Sequence, residues 1–336
     1  MYFHAKPILN FYTIYKVKTY QSSDKSTWNN FVLKSNQDTF LFHRDFMDYH
    51  SDRFQDFSLM VYEKDKLVAL LPGNLFNNLL YSHQGLTYGS LIYPKALKTA
   101  VFIQVFKAIL EFLNKNDITN LSLKELPSIY LHNQTNNPMI YLLFKTNAAL
   151  IRTDMHSVID MRFKSYSNSR KEGVKRAIKS NLRVEESDNL DLFWNTILIP
   201  NLESKHNVKP VHSLEEITQL KSMFPNNIRQ FNVFYNNVIV GGTTIFETKH
   251  VAHCQYISGN ADKNELGSLD FLHHHLVENV FGNKAYFDFG TSNINAGQQI
   301  NTGLQFWKEG FGARSITQGF YNIATENYKL LDDILV

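Results

Sequence analysis

Residues 57–71, FSLMVYEKDKLVALL, alternate apolar and polar about the turn Lys64-Asp65-Lys66, which predicts a β-hairpin. A strand-like run, LLYSHQGLTYG, follows at 79–89. After Pro94, KALKTAVFIQVFKAILEFL sets Leu97, Val101, Val105, Ile109 and Phe112 on one stripe and predicts a helix, and TNLSL at 119–123 predicts a closing strand. The same order returns 171 residues later. IRQFNVFYNNVIVGGTTIF is a second hairpin with Asn236-Asn237 at its turn, and VAHCQYISG (251–259) is the next strand, with Gln84 falling on Gln255. SLDFLHHHLVENVF then carries Leu269, Leu272, Leu276 and Val280 on one face, and AYFDFG (285–290) closes the unit. Identities between the copies are few, so element order carries the repeat; the competing reading is two unrelated α/β segments. Hairpin, strand, helix, strand is the order of a mixed sheet with a helical crossover.

Composition narrows the class. With 336 residues, 43% of them hydrophobic and 14% aromatic, the chain has material for about two packed cores, and disorder or a collagen-like fibre is excluded. The single cysteine, Cys254, excludes an intrachain disulfide and a cysteine-cluster metal site; a reducing, cytoplasmic setting is expected. The N-terminal MYFHAKPILNFYTIYKVK has neither a continuous apolar core nor a small-residue cleavage site, so no signal peptide is expected. Lys98, Lys107 and Lys145 interrupt the most apolar stretches, so no transmembrane segment is expected either.

The net charge of +3 hides a local concentration. Between Arg162 and Arg183 there are eight Lys or Arg and one acid, Glu172, giving +7 and leaving −4 for the remainder. Arg170, Lys171, Val174, Lys175, Ile178 and Lys179 are spaced for a helix with a cationic side, capped by Ser167 or Ser169. It reads as a solvated linker helix, a contact for the diphosphate of a nucleotide-sugar or CoA, or a tRNA-binding face. RNA is the weaker of the two ligand readings, because only Tyr166 supplies an interleaved aromatic, and nothing points to DNA.

The repeated unit and the segment GLQFWKEGFGARS, Gly303 to Ser315, together resemble acyltransferases of the GNAT superfamily, whose domains commonly end in a helix and strand with a Gly-Phe signature. The whole chain resembles their paired-domain members: the Fem-type peptidoglycan aminoacyltransferases and related sugar N-acyltransferases. The basic helix SNSRKEGVKRAIKSNLRV and the pair Trp307-Lys308 carry that likeness. YSHQGLTYG, PVHSLEEI, HCQYISG and FDFGTSN resemble enzymes that acylate nucleotide-linked amino sugars for surface polysaccharides. The resemblance implies an α/β fold of two tandem GNAT-like domains, each a mixed, mostly antiparallel sheet flanked by helices. They would span 1–160, possibly joined by the tail 314–336, and 161–313. It implies an N-acyltransferase moving an acyl group from acyl-CoA, as co-substrate, to the amine of a nucleotide-sugar acceptor in the bacterial cell envelope. The alternatives are an aminoacyl-tRNA-dependent transferase acting on a peptidoglycan precursor and a non-catalytic GNAT-like binding protein.

Two departures bear on the donor. Where acyl-CoA-binding GNAT domains carry a Gln/Arg-x-x-Gly-x-Gly/Ala loop, this chain has only Asn264, Glu265, Leu266, Gly267, Ser268 and Leu269, and the first copy has no glycine in its equivalent stretch. Asn264, Leu266, Gly267 and Ser268 are therefore the expected donor contacts. Phe306 stands where many GNAT enzymes have a proton-donating tyrosine, and a phenyl ring donates no proton.

Lys308 matches the Fem-type lysine that can stabilise a developing oxyanion; otherwise it is a surface lysine on the last helix. His83, His253 and Asp288, at strand ends, are the expected bases for the attacking amine, or else local structural residues. Gln84, Tyr88, Arg170, Lys175, Tyr256, Asn293 and Trp307 are the expected substrate contacts. No metal is expected, because His273, His274 and His275 diverge on a helix. Cys254 on a strand is read as a small buried hydrophobe.

Overall fold

The computed structural model describes residues 15–335; residues 1–14 and 336, and with them most of the stretch read as lacking a signal peptide, lie outside the described residues. In the first half the strands are β1 (Tyr15–Thr19), β2 (Gln55–Asp56), β3 (Leu59–Glu63), β4 (Lys66–Leu71), β5 (Asn74–Phe76), β6 (Leu79–Tyr81) and β7 (Asn120–Lys124). A long β8 (Ala149–Asp160) leads into the second half, with β9 (Arg183–Ser187), β10 (Ile228–Tyr235), β11 (Val238–Glu247), β12 (Val251–Gly259) and β13 (Tyr286–Thr291). Two short strands, β14 (Asn293–Ile294) and β15 (Gln299–Ile300), and the final β16 (Arg314–Ala324) follow. The predicted hairpins are β3–β4 and β10–β11, with Lys64, Asn236 and Asn237 in the left-handed region that tight turns require.

An eleven-stranded mixed sheet runs in the order β2-β5-β6-β7-β16-β8-β13-β12-β11-β10-β9, and β1, β3 and β4 form a separate sheet. In each half one parallel pair, β6–β7 or β12–β13, is bridged by a helix. The helix Thr99–Lys115 buries seven apolar side chains, from Phe102 to Leu113. Each stabilises the fold by roughly 1.5–3 kcal/mol over its exposed state. Its buried face runs through Phe102, Phe106 and Leu110; Leu97, Val101 and Phe112 of the predicted stripe lie only at its margin. In the second half Ser268–His275 takes the crossover and relaxes into a wider π turn, Leu276–Val280.

β16 inserts between β7 and β8, which makes the sheet continuous from one half to the other. One apolar core lies under each repeat. A third, rich in aromatic rings, lies between them, where Phe40 meets Phe224 and Phe246 at 5.3 and 5.4 Å. The basic helix is Asn168–Lys179, and Ser167 caps it by accepting from the Arg170 N–H. Among the described residues no helix is long and apolar enough to cross a membrane.

Candidate functional site

β12 and β13 pair only at Val251–Tyr286, Ala252–Phe287 and His253–Asp288. Past that point β12 stays with β11, while β13 leans toward β8, where Thr291 pairs with His156. The wedge that opens is a cavity of about 1030 Å³, walled by Cys254, Gln255 and Ser258 on one side and Phe289, Gly290 and Thr291 on the other. Trp307 and Lys308 close one end from the helix Thr302–Glu309, and Thr87 and Lys124 of the first half reach the other. Its size suits a substantial ligand, since small-molecule sites span roughly 300–1,000 Å³.

Asp288 lies at the apex, fully buried. Its Oδ2 accepts from His253 Nδ1 at 2.9 Å, His156 Nδ1 at 3.1 Å and the Tyr130 hydroxyl at 2.9 Å, and its Oδ1 accepts from the Gly290 N–H at 2.7 Å. Burial alone would raise the carboxyl, but the two histidines that donate to it, His156 and His253, hold it well below the usual carboxylate range. Because His253 spends Nδ1 on Asp288, Nε2 is the ring nitrogen left to take a proton, and the ring lines the cavity.

Lys308 is 2% exposed. Its Nζ donates to Gly290 O at 3.0 Å and Thr291 O at 2.8 Å, which leaves one of its three N–H bonds. Burial pushes the ammonium down to about 8 against the opposing pull of Asp288. A second cation, Lys124, donates to Leu86 O and is also pushed down to about 8 by burial. Beside it Arg152 grips Asp154 with two bonds of 2.7 and 2.9 Å and lies 4.7 Å over the Phe320 ring.

The segment expected to hold the donor is placed against the basic helix. Asn264 borders the cavity and Leu266 is half-buried, while Gly267 and Ser268 are buried. Gly267 has φ +66°, and a Cβ there would lie 2.1 Å from Gly173 O. Asp270 occupies the first helical turn, held by Arg170 and by the Trp307 Nε1–H at 2.9 Å. Arg176 engages the Asn264 and Glu265 carbonyls at 3.0 and 3.2 Å. A carboxylate already at the helix N-terminus and a backbone packed onto Gly267 do not fit a diphosphate resting on these N–H groups.

Of the remaining expected residues, Arg170 and Trp307 border the cavity. The others have different surroundings. His83 is buried and stacks on His50 at 5.0 Å, and Gln84 is tied to Asn74 at 2.7 Å. Tyr88 is a core ring bonded to Thr39, and Tyr256 packs on Trp194 with its hydroxyl 2.6 Å from His212. Lys175 is exposed and pairs with Glu172, and Asn293 ties the 291–297 turn to the Met155 N–H. The sequence reading passed over His156, Tyr130, Lys124, Arg152 and Gln318. Their signal was weak: Arg152, Asp154 and His156 fall at alternate positions of one strand, a polar face on β8. Among the described residues no group of three or more His, Cys, Asp or Glu is placed to hold a metal ion.

No protein-family model matches the chain, and no curated protein matches it. Solved structures do. The structure of FemX superimposes with a TM-score of 0.66 at 8% identity, covering 94% of this chain and 99% of that one. L-PGS from Bacillus licheniformis gives 0.57 at 11% identity, over 94% and 96% of the two chains. The chain has the tandem GNAT, Fem-type fold. A tandem GNAT protein from the clavulanic acid biosynthesis pathway matches at 0.50 and 12% identity, over 93% and 98%. At such identities the likeness establishes architecture, and chemistry has to be argued from the cavity.

Proposed function

We propose that the protein is an N-acyltransferase that forms an amide between an activated acyl or aminoacyl group and a primary amine in the β12–β13 cavity. The observation that carries this reading is His253, backed by the buried Asp288, facing the same space as the buried Lys308. The amine nitrogen attacks the donor carbonyl and its proton passes to His253 Nε2; the new C–N bond forms as the bond from the carbonyl carbon to the leaving group breaks. The free N–H of Lys308 faces the oxygen on which charge develops. The leaving group takes up the proton, directly or through water.

For the acceptor, the proposal is a nucleotide-linked amino sugar of cell-surface polysaccharide synthesis, its phosphates met by Lys124, Arg152, Arg170 and Arg176 around the cavity. For the donor, acyl-CoA is the first reading. The covered 264–268 segment favours a second, an aminoacyl ester of tRNA, because that donor needs no diphosphate on this turn. Calorimetry of the whole chain with acetyl-CoA and with charged tRNA, followed by mass spectrometry of amide product from UDP-linked amino sugars, tests both. Binding of either donor with product lost in His253→Ala is the expected result. Binding of neither, with no product, would leave a non-catalytic module and overturn the proposal.

A further inference from the structure

The side chain of Gln318, on β16, determines more than its own position. Its amide nitrogen donates to Glu125 O at 2.7 Å and Thr87 O at 3.3 Å. Turning the amide over would set its oxygen against two carbonyl oxygens, so Oε1 must be the atom 3.2 Å from His156 Nε2. Oε1 only accepts, so His156 Nε2 carries a proton. The other ring nitrogen, Nδ1, meets the Asp288 carboxylate, which also only accepts. Both ring nitrogens of a 3% exposed histidine are therefore donors.

We infer that Gln318 holds His156 as a permanent imidazolium, and that this fixed cation, acting through Asp288, keeps His253 the neutral ring with Nε2 open to the cavity. His156 is a positioning residue and touches no substrate in this scheme. The two rings lie 6.4 Å apart, so a charge on His156 opposes a second on His253; with that charge assigned to His156 by Gln318, His253 is left able to accept a proton. The other groups facing Asp288 cannot take over. Tyr130, buried and raised well above its usual range by burial and by Asp288, stays a neutral donor. Cys254 and Tyr88 are buried and likewise raised by burial. Lys308 is committed to the Gly290 and Thr291 carbonyls, and its charge opposes a proton on His156. Burial also opposes that proton, and the Asp288 charge with the two hydrogen bonds outweighs both.

The charge assignment stands on hydrogen bonding alone; its consequence for turnover rests on the proposed role of His253. The experiment is ring-¹⁵N NMR of the whole protein from pH 6 to 8.5, with the two rings assigned through His156→Gln and His253→Gln. The expected spectrum has both His156 nitrogens protonated throughout, while His253 at pH 8 shows a protonated Nδ1 and an unprotonated Nε2. In Gln318→Met, which has no comparable acceptor, the cation should move to His253. An unprotonated nitrogen on His156 at pH 7 in the wild type overturns the inference, whether or not Gln318→Met folds. A folded Gln318→Met in which His156 stays fully protonated overturns the part assigned to Gln318. Turnover is read separately: if the rings behave as stated and no donor is ever used, the proposed function fails and the charge assignment survives.

Discussion

The two halves share one wedge and treat it differently. In the first, β6 and β7 pair at Leu79–Asn120, Leu80–Leu121 and Tyr81–Ser122; in the second, β12 and β13 pair at Val251–Tyr286, Ala252–Phe287 and His253–Asp288. Matching Leu80 to Val251 places Ser82 where His253 stands and Leu123 where Asp288 stands. The first wedge is stitched shut: Ser82 N–H donates to Ser122 O at 3.0 Å, the Lys124 N–H donates to Ser82 Oγ at 2.8 Å, and the Gly89 N–H donates to Lys124 O at 3.2 Å. The second stays open, with a histidine and a carboxylate at its apex and a lysine across it. A shared topology thus supplies two possible sites, and the residue at the position shared by Ser82 and His253, just past the parallel pair in the first half and its last member in the second, decides whether the gap becomes a cavity or core.

The largest expected effect tests that register. His253→Ala should lower kcat by about 10³-fold, within the range for loss of a general base, with KM changed far less. Ser82→Ala, the same register position in the first half, should leave turnover intact and cost about 1–3 kcal/mol in urea unfolding, because a buried N–H loses its acceptor. Comparable kcat losses in the two variants would break the comparison. Lys308→Met should follow, lowering kcat by about 10²-fold, as for the loss of one oxyanion donor. Unchanged kcat in saturating-substrate assays would remove Lys308 from the mechanism.

How far this was legible in the sequence depends on which force determined each feature. The hairpins, the crossover helices and the capped basic helix follow from local periodicity and turn chemistry, and 57–71, 228–246 and 168–179 fold as read. The run 79–89 reads as one strand, yet only Leu79–Tyr81 pair as one; Ser82 and Gly89 are tied to β7 by single long-range bonds that leave no local pattern. In the register that sets Gln84 on Gln255, Ser82 and not His83 falls on His253, and neighbouring residues of a strand face opposite sides of the sheet. Lys308 and His253 line one cavity, with Asp288 buried behind His253. His156, Tyr130 and Gln318 come from three other segments: β8 beside β13 brings His156 to Asp288, Tyr130 reaches it from the turn 128–130, and β16 beside β8 brings Gln318 to His156.

A smaller effect sharpens the comparison sterically. A Cβ on Gly89 would lie 1.5 Å from Ser82 O, where no flexible side chain can give way. Gly89→Ala should therefore destabilise by about 1–3 kcal/mol through overpacking, measured by urea unfolding. Stability within about 0.5 kcal/mol of wild type, the range of an ordinary surface substitution, would mean the first wedge can open.

Acid should separate the halves more gently. His50 and His83 stack at 5.0 Å, and burial holds them down to about 4 and about 3, with each further lowered by neighbouring charge. A folded-state value below the unfolded one near 6.5 stabilises fully above that pH and is lost as pH falls toward 4. His156 is shifted upward, so its contribution is complete below 6.5, and that of the depressed Asp288 holds until about pH 4. His212 and His273, each held to about 4 by burial, lose stability with acid in the second half too, and so do His132 and His250, which meet at 3.1 Å beside β12; those two are only half-buried, whereas the stacked pair of the first half is buried. Between pH 7 and 5, hydrogen exchange should therefore rise earlier around 50–54 and 82–89 than around 251–259 and 286–291. His83→Gln should flatten that difference; a rise that is simultaneous in both halves would contradict it.

The smallest expected effect is a gain, from a glycine beside the open wedge. Gly303 sits in the first turn of Thr302–Glu309, and a Cβ there would meet only Asn301 Oδ1, at 3.7 Å, an ordinary contact. Its backbone is already helical, so an added methyl narrows the unfolded chain's freedom without straining the folded one. Gly303→Ala should stabilise by about 0.5 kcal/mol, a rise in Tm of roughly half a degree to one degree for a chain of this size. Its sign is opposite to that of Gly89→Ala, because one methyl enters solvent-facing space and the other a stitched wedge. A loss of Tm in Gly303→Ala would mean that the helix carrying Lys308 is packed more tightly against the cavity than the 3.7 Å spacing implies.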